Sequence, residues 1–291
     1  MDKVSIIMTV FDGERFLSEA IESCLLQTHN NLELIIIDDG STDGSLEIIN
    51  SFVDDRIKLF INESNRGQSY SRNRGIRESS GEYIAIMDSD DIAFNCRLEK
   101  QLDFLKCNEA NICFSWVDLI DSNGNPFGSR KTTSNKNLLK AQLLFECTLV
   151  HPTAFWRKDA FVNNNLWYDE AFVYAQDYEF WTRVIKVFEI EVYEEPLIMY
   201  RFGNELSISH TKKSRQEAFR LSVSNREIEK LCGRKVNYVH STLGIFWIYR
   251  EFSRLNQIDS DVNQYFRNLT NSNFKGWPYR IKKLVQRIIF R

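Results

Sequence analysis

The chain lacks the phosphate-binding loops that most often announce a nucleotide site. No Gly-x-Gly-x-x-Gly follows its first apolar run, and no Gly-Lys-Ser/Thr occurs anywhere in the 291 residues. This excludes the dinucleotide fingerprint and the P-loop. Its six cysteines (Cys24, Cys96, Cys107, Cys113, Cys147, Cys232) form no Cys-x-x-Cys pair and stand at no zinc-like Cys/His spacing. They read as reduced thiols, mostly in the core, in a reducing compartment. Charge of one sign is also missing. The net charge of −3 gives no bulk attraction for nucleic acid. No apolar run approaches membrane-spanning length. No secretory leader is expected, since Val4 to Val10 is short and leads into Asp12-Gly13-Glu14. The expectation is a cytoplasmic protein that can still touch a membrane surface.

An apolar content of 43% fits a globular protein with a real core. The length suits one large domain, or one domain with an appendage. Short apolar runs alternate with amphipathic stretches through the first third. Val4–Val10, Leu34–Ile37, Ile57–Ile61 and Tyr83–Met87 are expected strands, continuous and apolar as strands buried on both faces are. Between them, helical spacing runs through Phe16 to Leu25, Leu46 to Phe52, and Ser69 to Glu78. This order implies a doubly wound α/β fold with a mostly parallel central sheet.

Three carboxylates close the fourth strand: Asp88, Asp90 and Asp91, around Ser89. Strand ends are where open α/β sheets bind ligands. Like charges so close repel, and a divalent cation with a diphosphate would relieve them. A solvated turn that caps the helix beginning near Arg97 is the alternative reading of the same residues.

The middle of the chain is more mixed. A helix is expected from Arg97 to Cys107, a strand from Ile112 to Leu119, and a hairpin turn at Asp121-Ser122-Asn123-Gly124. Asn137 to Glu146 is expected to be helical, and His151 to Trp156 a strand or extended piece. A helix buries Trp181, Val184, Ile185 and Phe188, with Asp177 and Glu179 at its N-terminal end, where acids also suit the helix dipole. Leu197–Tyr200 is the last expected strand. Beyond Lys212 only helices are expected. No acidic residue follows Asp261, while Lys275, Arg280, Lys282, Lys283, Arg287 and Arg291 crowd the end. Ile281, Leu284, Val285, Ile288 and Ile289 share one helical face there. That is the pattern of a basic amphipathic helix lying on an anionic membrane, with Trp277 and Tyr279 as interfacial anchors. A helix packed on its own domain with a basic outer face is the alternative.

These residues carry a resemblance. Val4 to Val10, Glu14, Leu17, Gln27-Thr28 and the run Leu34 to Asp43 (LIIIDDGSTD) resemble the opening of inverting family 2 glycosyltransferases of the GT-A fold. Asn65-Arg66-Gly67, Ser71-Arg72-Asn73 and Gly75 match the family's next block, and Met87 to Asp91 its DxD motif. The match continues through His151-Pro152-Thr153 and Gln176-Asp177-Tyr178-Glu179 to Tyr200-Arg201. It covers roughly the first two-thirds of the chain and implies a GT-A domain over residues 1–205; the region expected to be helical from its own residue pattern, 206–291, is not covered by it.

It also implies roles. Thr9 and Phe11 would line the base pocket, and Asp39 would accept the uracil N–H. Arg72 would lie near the nucleotide. Asp88 would contact the ribose, with Ser89 beside it in the nucleotide-sugar site. Asp90 would bind Mn²⁺ or Mg²⁺ at the diphosphate, and Asp177 would be the catalytic base. Two positions depart from the pattern. Gln176 stands where the family often has Glu, and Gly203 where many members have a metal-binding His. A replacement would have to come from His210 or His151, each of which also fits a structural role. The resemblance implies a UDP-sugar donor and a saccharide acceptor, expected to be lipid-linked, in the assembly of surface polysaccharide such as O-antigen or capsule. A nucleotidyltransferase and a non-catalytic membrane-associated nucleotide-binding module are the other readings of an acidic strand end.

Overall fold

A computed structural model describes residues 2–203, 213–233, 242–255 and 257–273. The expected basic tail helix, residues 275–291, and His210 lie outside the described residues. The chain divides into two compact units, residues 1–134 with 147–217, and residues 135–146 with 218–291.

The first unit is built on one sheet. Its parallel half comprises β1 (Val4–Val10), β2 (Leu32–Asp38), β3 (Ile57–Ile61) and β4 (Tyr83–Asp88), in the order β3-β2-β1-β4. All of β2 is buried, and β1 is buried apart from Thr9. Helices α1 (Leu17–Leu25), α2 (Ser45–Ser51) and α3 (Gln68–Glu78) connect these strands. Leu17, Ala20, Ile21 and Cys24 of α1 enter the core beside Met8, Leu34 and Ile36. Close packing of α3 depends on Gly75, where a Cβ would stand 2.6 Å from Ile7 Cγ2.

The other half of the sheet is mixed. Past β4 it runs β8 (Phe155–Arg157), β6 (Ile112–Ile120), β9 (Glu191–Arg201) and β5 (Ile92–Ala93), with β7 (Pro126–Arg130) paired to β6. The expected turn at 121–124 makes the β6–β7 hairpin. The Asp121 carboxylate accepts from Asn123 N, Asn125 N and Asn125 Nδ2, and Gly124 takes φ +83°. Three findings differ in detail from the sequence reading. Strand β9 begins at Glu191, six residues before the expected Leu197. His151–Thr153 is a turn of 3₁₀ helix, and only Phe155–Arg157 is strand. The two-residue β5 and the short α6 (Lys158–Asn163) are additions. Helices α4 (Arg97–Cys107) and α7 (Gln176–Val184) complete this unit among the described residues.

The second unit is helical in its described residues. It gathers α5 (Lys136–Gln142), most of α8 (Lys213–Cys232), α9 (Thr242–Arg254) and α10 (Ser260–Asn273). Phe145, Ile228, Ile245, Ile248, Phe252, Val262 and Phe266 form its core. Asn135 caps α5 by accepting from Leu138 N at 2.9 Å, and Asp259 caps α10 through Asp261 N and Val262 N.

Candidate active site

The strand register sets the site. Thr9 pairs with Ile37 on one side and Asp88 on the other, so the C-terminal ends of β1, β2 and β4 lie side by side. The loops that leave them are laced together. Asp12, in the left-handed region at φ +49°, accepts from Thr42 N at 2.7 Å. Gly13 N donates to Ser45 Oγ, Glu14 N to Asp43 Oδ2, and Gly44 N to Glu14 Oε2. The Ser/Thr/Asp/Gly-rich stretch after β2 thus holds the β1–α1 loop. Phe11, 48% exposed, is left projecting from it.

Asp39 is buried and heavily bonded. Its Oδ1 accepts from Asn62 Nδ2 at 2.6 Å and Arg66 N at 2.9 Å, and its Oδ2 from Gly67 N at 2.9 Å. It therefore anchors the segment that enters α3, where Gly67 takes φ +88°. Gly40, at φ +78°, lets that segment approach: a Cβ there would meet the Ser64 backbone at 2.9 Å.

From α3, Arg72 reaches Asp88, with Nη2 donating to Oδ1 at 3.2 Å. The guanidinium is 4% exposed, and its Nη1 has no partner among the described residues. The same helix fastens the segment that carries Asp177. Asn73 Nδ2 donates to Tyr168 O and Glu170 Oε1, while Tyr168 N donates back to Asn73 Oδ1. Ser69 Oγ reaches Phe172 O, and Gln176 bonds Gln68. The chain turns through Ala175 at φ +52° into α7. Asp177 Oδ1 then accepts from Tyr178 N at 2.8 Å. Burial pushes the Asp177 carboxyl above the ordinary 3.8. Asp88 pushes the same way, and Arg72 opposes. Asp177, Arg72 and Asp88 therefore share one electrostatic neighbourhood.

Asp91 lies at the floor of the acidic loop, 1% exposed. Burial, then Asp90, then Asp88 drive its carboxyl well above the usual range. Its Oδ1 accepts from Arg201 N at 2.8 Å, and its Oδ2 has no partner among the described residues. Behind the loop the buried Arg97 donates to Ile86 O at 2.8 Å and Pro152 O at 2.7 Å, tying β4 to the 151–153 turn. Burial pulls that guanidinium down to about 10. Among the described residues no three His, Cys, Asp or Glu side chains are gathered as a ready metal cage.

The profile described as Glycosyl transferase family 2 matches residues 5–164. The chain belongs to this family. An uncharacterized glycosyltransferase of Methanocaldococcus jannaschii is 36% identical over 225 residues, 74% of this chain and 77% of that one. WfgD of Escherichia coli, a UDP-Glc:alpha-D-GlcNAc-diphosphoundecaprenol beta-1,3-glucosyltransferase, is 32% identical over 191 residues, 63% of this chain and 70% of its own. The crystal structure of S. aureus TarS 1–349 in complex with UDP-GlcNAc shares the fold. Its TM-score is 0.64 at 19% identity, over 96% of this chain and 82% of that one. The GT-A fold and the glycosyltransferase reading thus stand, and the nucleotidyltransferase and non-catalytic readings fall.

Glu179 and His151 make packing and ion-pair contacts in this glycosyltransferase. Glu179 is buried and held by Arg183, with Nε donating to both carboxylate oxygens and Nη2 to Oε2 at 2.8 Å. His151 is buried against the rings of Tyr168 and Trp181. Burial, then Arg72, press its pKa well below 6.5. Asn62, Arg97 and the partners of Arg201 were not foreseen from sequence. The only local signal was a polar residue directly after β3 or within the first turn of α4.

Proposed function

We propose that this family 2 glycosyltransferase moves a sugar from a UDP-sugar to a hydroxyl of a saccharide acceptor, with inversion at the anomeric carbon. The observation that carries the reading is the placement of Asp177. It is a part-buried carboxylate on a separate element, close enough to Arg72 and Asp88 to feel both charges. A single inverting displacement needs this division of labour: a charge-holding end for the leaving diphosphate and one remote base.

Thr9 and Phe11 would line the base pocket, and Asp39 would take the base N–H. Three protein donors already orient the Asp39 carboxylate. Asp88 would meet the ribose with Ser89 beside it. The unpartnered Arg72 Nη1 fits an anionic ligand at the same place. Asp90 would hold Mn²⁺ or Mg²⁺. The acidic loop with its orphaned Asp91 oxygen has the hard oxygen chemistry such ions favour, with substrate phosphates completing the shell. When bound, the cation would stabilise charge on the leaving diphosphate. Asp177 would take the acceptor hydroxyl proton. Its raised pKa brings it nearer the neutral range that suits a general base.

Residues 1–205 would form the transferase domain, and 206–291 a region that meets the membrane through the basic tail. No described helix is long and apolar enough to cross a membrane. The acceptor would then be a lipid-linked saccharide at the inner face of the cell membrane, used in surface polysaccharide such as O-antigen or capsule. The stereochemical test is NMR of the product formed from an α-linked UDP-sugar. A β-linked product supports the reading, and a retained α-linkage removes it.

A further inference from the structure

A residue outside the acidic loop is bonded to two of its members. Arg201, at the end of β9, has a side chain only 2% exposed. Its guanidinium serves three segments at once. Nε donates to Asp90 O at 2.9 Å, Nη1 to Asp121 O at 3.1 Å, and Nη2 to Glu19 Oε2 at 2.8 Å. Its backbone N–H donates to Asp91 Oδ1 at 2.8 Å. The Phe16 ring closes the remaining face, 4.1 Å from the guanidinium carbon to the ring centroid.

One of these partners, Asp90 O, lies in the acidic loop itself, and the other two, Asp121 O and Glu19 Oε2, fix the guanidinium against it. Asp88, Asp90 and Asp91 repel one another, so the loop would tend to spread. A buried cation against its main chain opposes that spread. Strand β5 adds a mechanical limit downstream, since Ile92 and Ala93 pair with Met199 and Ile198 just before Arg201. The planar fork matters: one guanidinium can point donors at three segments, whereas a lysine ammonium on the same stem is a compact point charge.

We infer that Arg201 is a positioning residue for the donor diphosphate, setting the acidic loop through the main chain of Asp90 and the carboxylate of Asp91, with exposed Glu19 of α1 as its outer brace. This rests on the reading of Asp88 to Asp91 as the diphosphate end of the donor site. It assigns Arg201 no contact with substrate.

The test compares uridine with UDP, each with and without Mn²⁺, by isothermal titration on the full chain, its R201K variant and its Glu19→Ala variant. In the wild type, UDP with Mn²⁺ should bind more tightly than uridine. R201K should lose about tenfold of that gain, the scale of one hydrogen bond to a charged group, while uridine binding stays unchanged. Glu19→Ala, at a position 60% exposed, cannot collapse the core. It should lose a smaller part of the same gain, and it carries the test if R201K does not fold. A full diphosphate gain in the variants would overturn the positioning role. So would an equal loss of uridine and UDP affinity, which marks general destabilisation. A wild type that binds UDP no better than uridine would overturn the donor-site reading, and the clamp with it.

Discussion

Arg72 donates to Asp88 at 3.2 Å with one terminal nitrogen and holds the other, Nη1, buried without a partner among the described residues. Leaving such a donor unpaired costs about 1–3 kcal/mol, which an anionic ligand would recover. Arg72→Met should therefore weaken UDP binding by about tenfold or more, the same energy expressed as affinity. It should also remove the positive charge that opposes the upward shift of Asp177. A base must be ionised to act, so activity falls as pH drops through the Asp177 pKa. The acid limb of the pH–rate profile should lie above the ordinary 3.8 in the wild type and higher still in the variant. An acid limb that does not move would separate Arg72 from Asp177.

The metal reading turns on Asp90. Asp90→Ala should abolish transfer, and chelation of the wild type should do the same, with Mn²⁺ or Mg²⁺ restoring activity. The variant should keep uridine affinity, because the Asp39 end of the site is untouched. Full turnover in excess EDTA would remove the metal from the reaction.

Far from the site, Glu33 makes a prediction about stability. Its side chain is 2% exposed and accepts from Lys58 Nζ at 2.6 Å, Ser5 Oγ at 2.6 Å, Lys3 Nζ at 2.9 Å and Ser80 N at 2.6 Å. Burial alone would raise its pKa. The bonds from Lys58, Ser5 and Lys3 outweigh that and hold it well below the ordinary 4.5. A carboxylate depressed in the folded state stabilises fully above its unfolded pKa and loses that contribution as pH falls below it. The wild type should thus lose stability below pH 4.5. Glu33→Gln should cost about 2 kcal/mol at neutral pH, less than a fully buried pair because both lysines reach solvent. It should also flatten the acid slope of chemical denaturation. An unchanged slope would show that other acids dominate.

How far the sequence foretold this molecule depends on which residues are asked about. The strands β1, β2 and β4 were legible because parallel strands buried on both faces are continuous apolar runs. Strand β9 was not. Glu194, Glu195 and Pro196 interrupt its pattern, and its pairing with β6 shifts register there. The acidic loop could be seen as a strand end, yet its charges alone could not separate a ligand site from a solvated turn. Asp177 stood out only through the family resemblance, because an acid at a helix N-terminus equally suits the dipole. The Arg201 clamp could not be read at all, since it joins residues 182 positions apart. Asn62 and Arg97 are the same case: what they do depends on carbonyls and carboxylates that only the fold brings near.

The central claim is that Asp177 is the base, and Asp177→Asn tests it most directly. Asn keeps the size and an acceptor oxygen for Tyr178 N–H, so the start of α7 should hold, but it cannot take the acceptor proton. General-base assistance is worth about 10²–10⁴-fold, so kcat should fall by that order. UDP affinity and Tm, measured on the same preparation, should stay near wild type. Turnover within a few-fold of wild type, with Tm lowered instead, would contradict the account and leave Asp177 as a structural residue at the head of a helix.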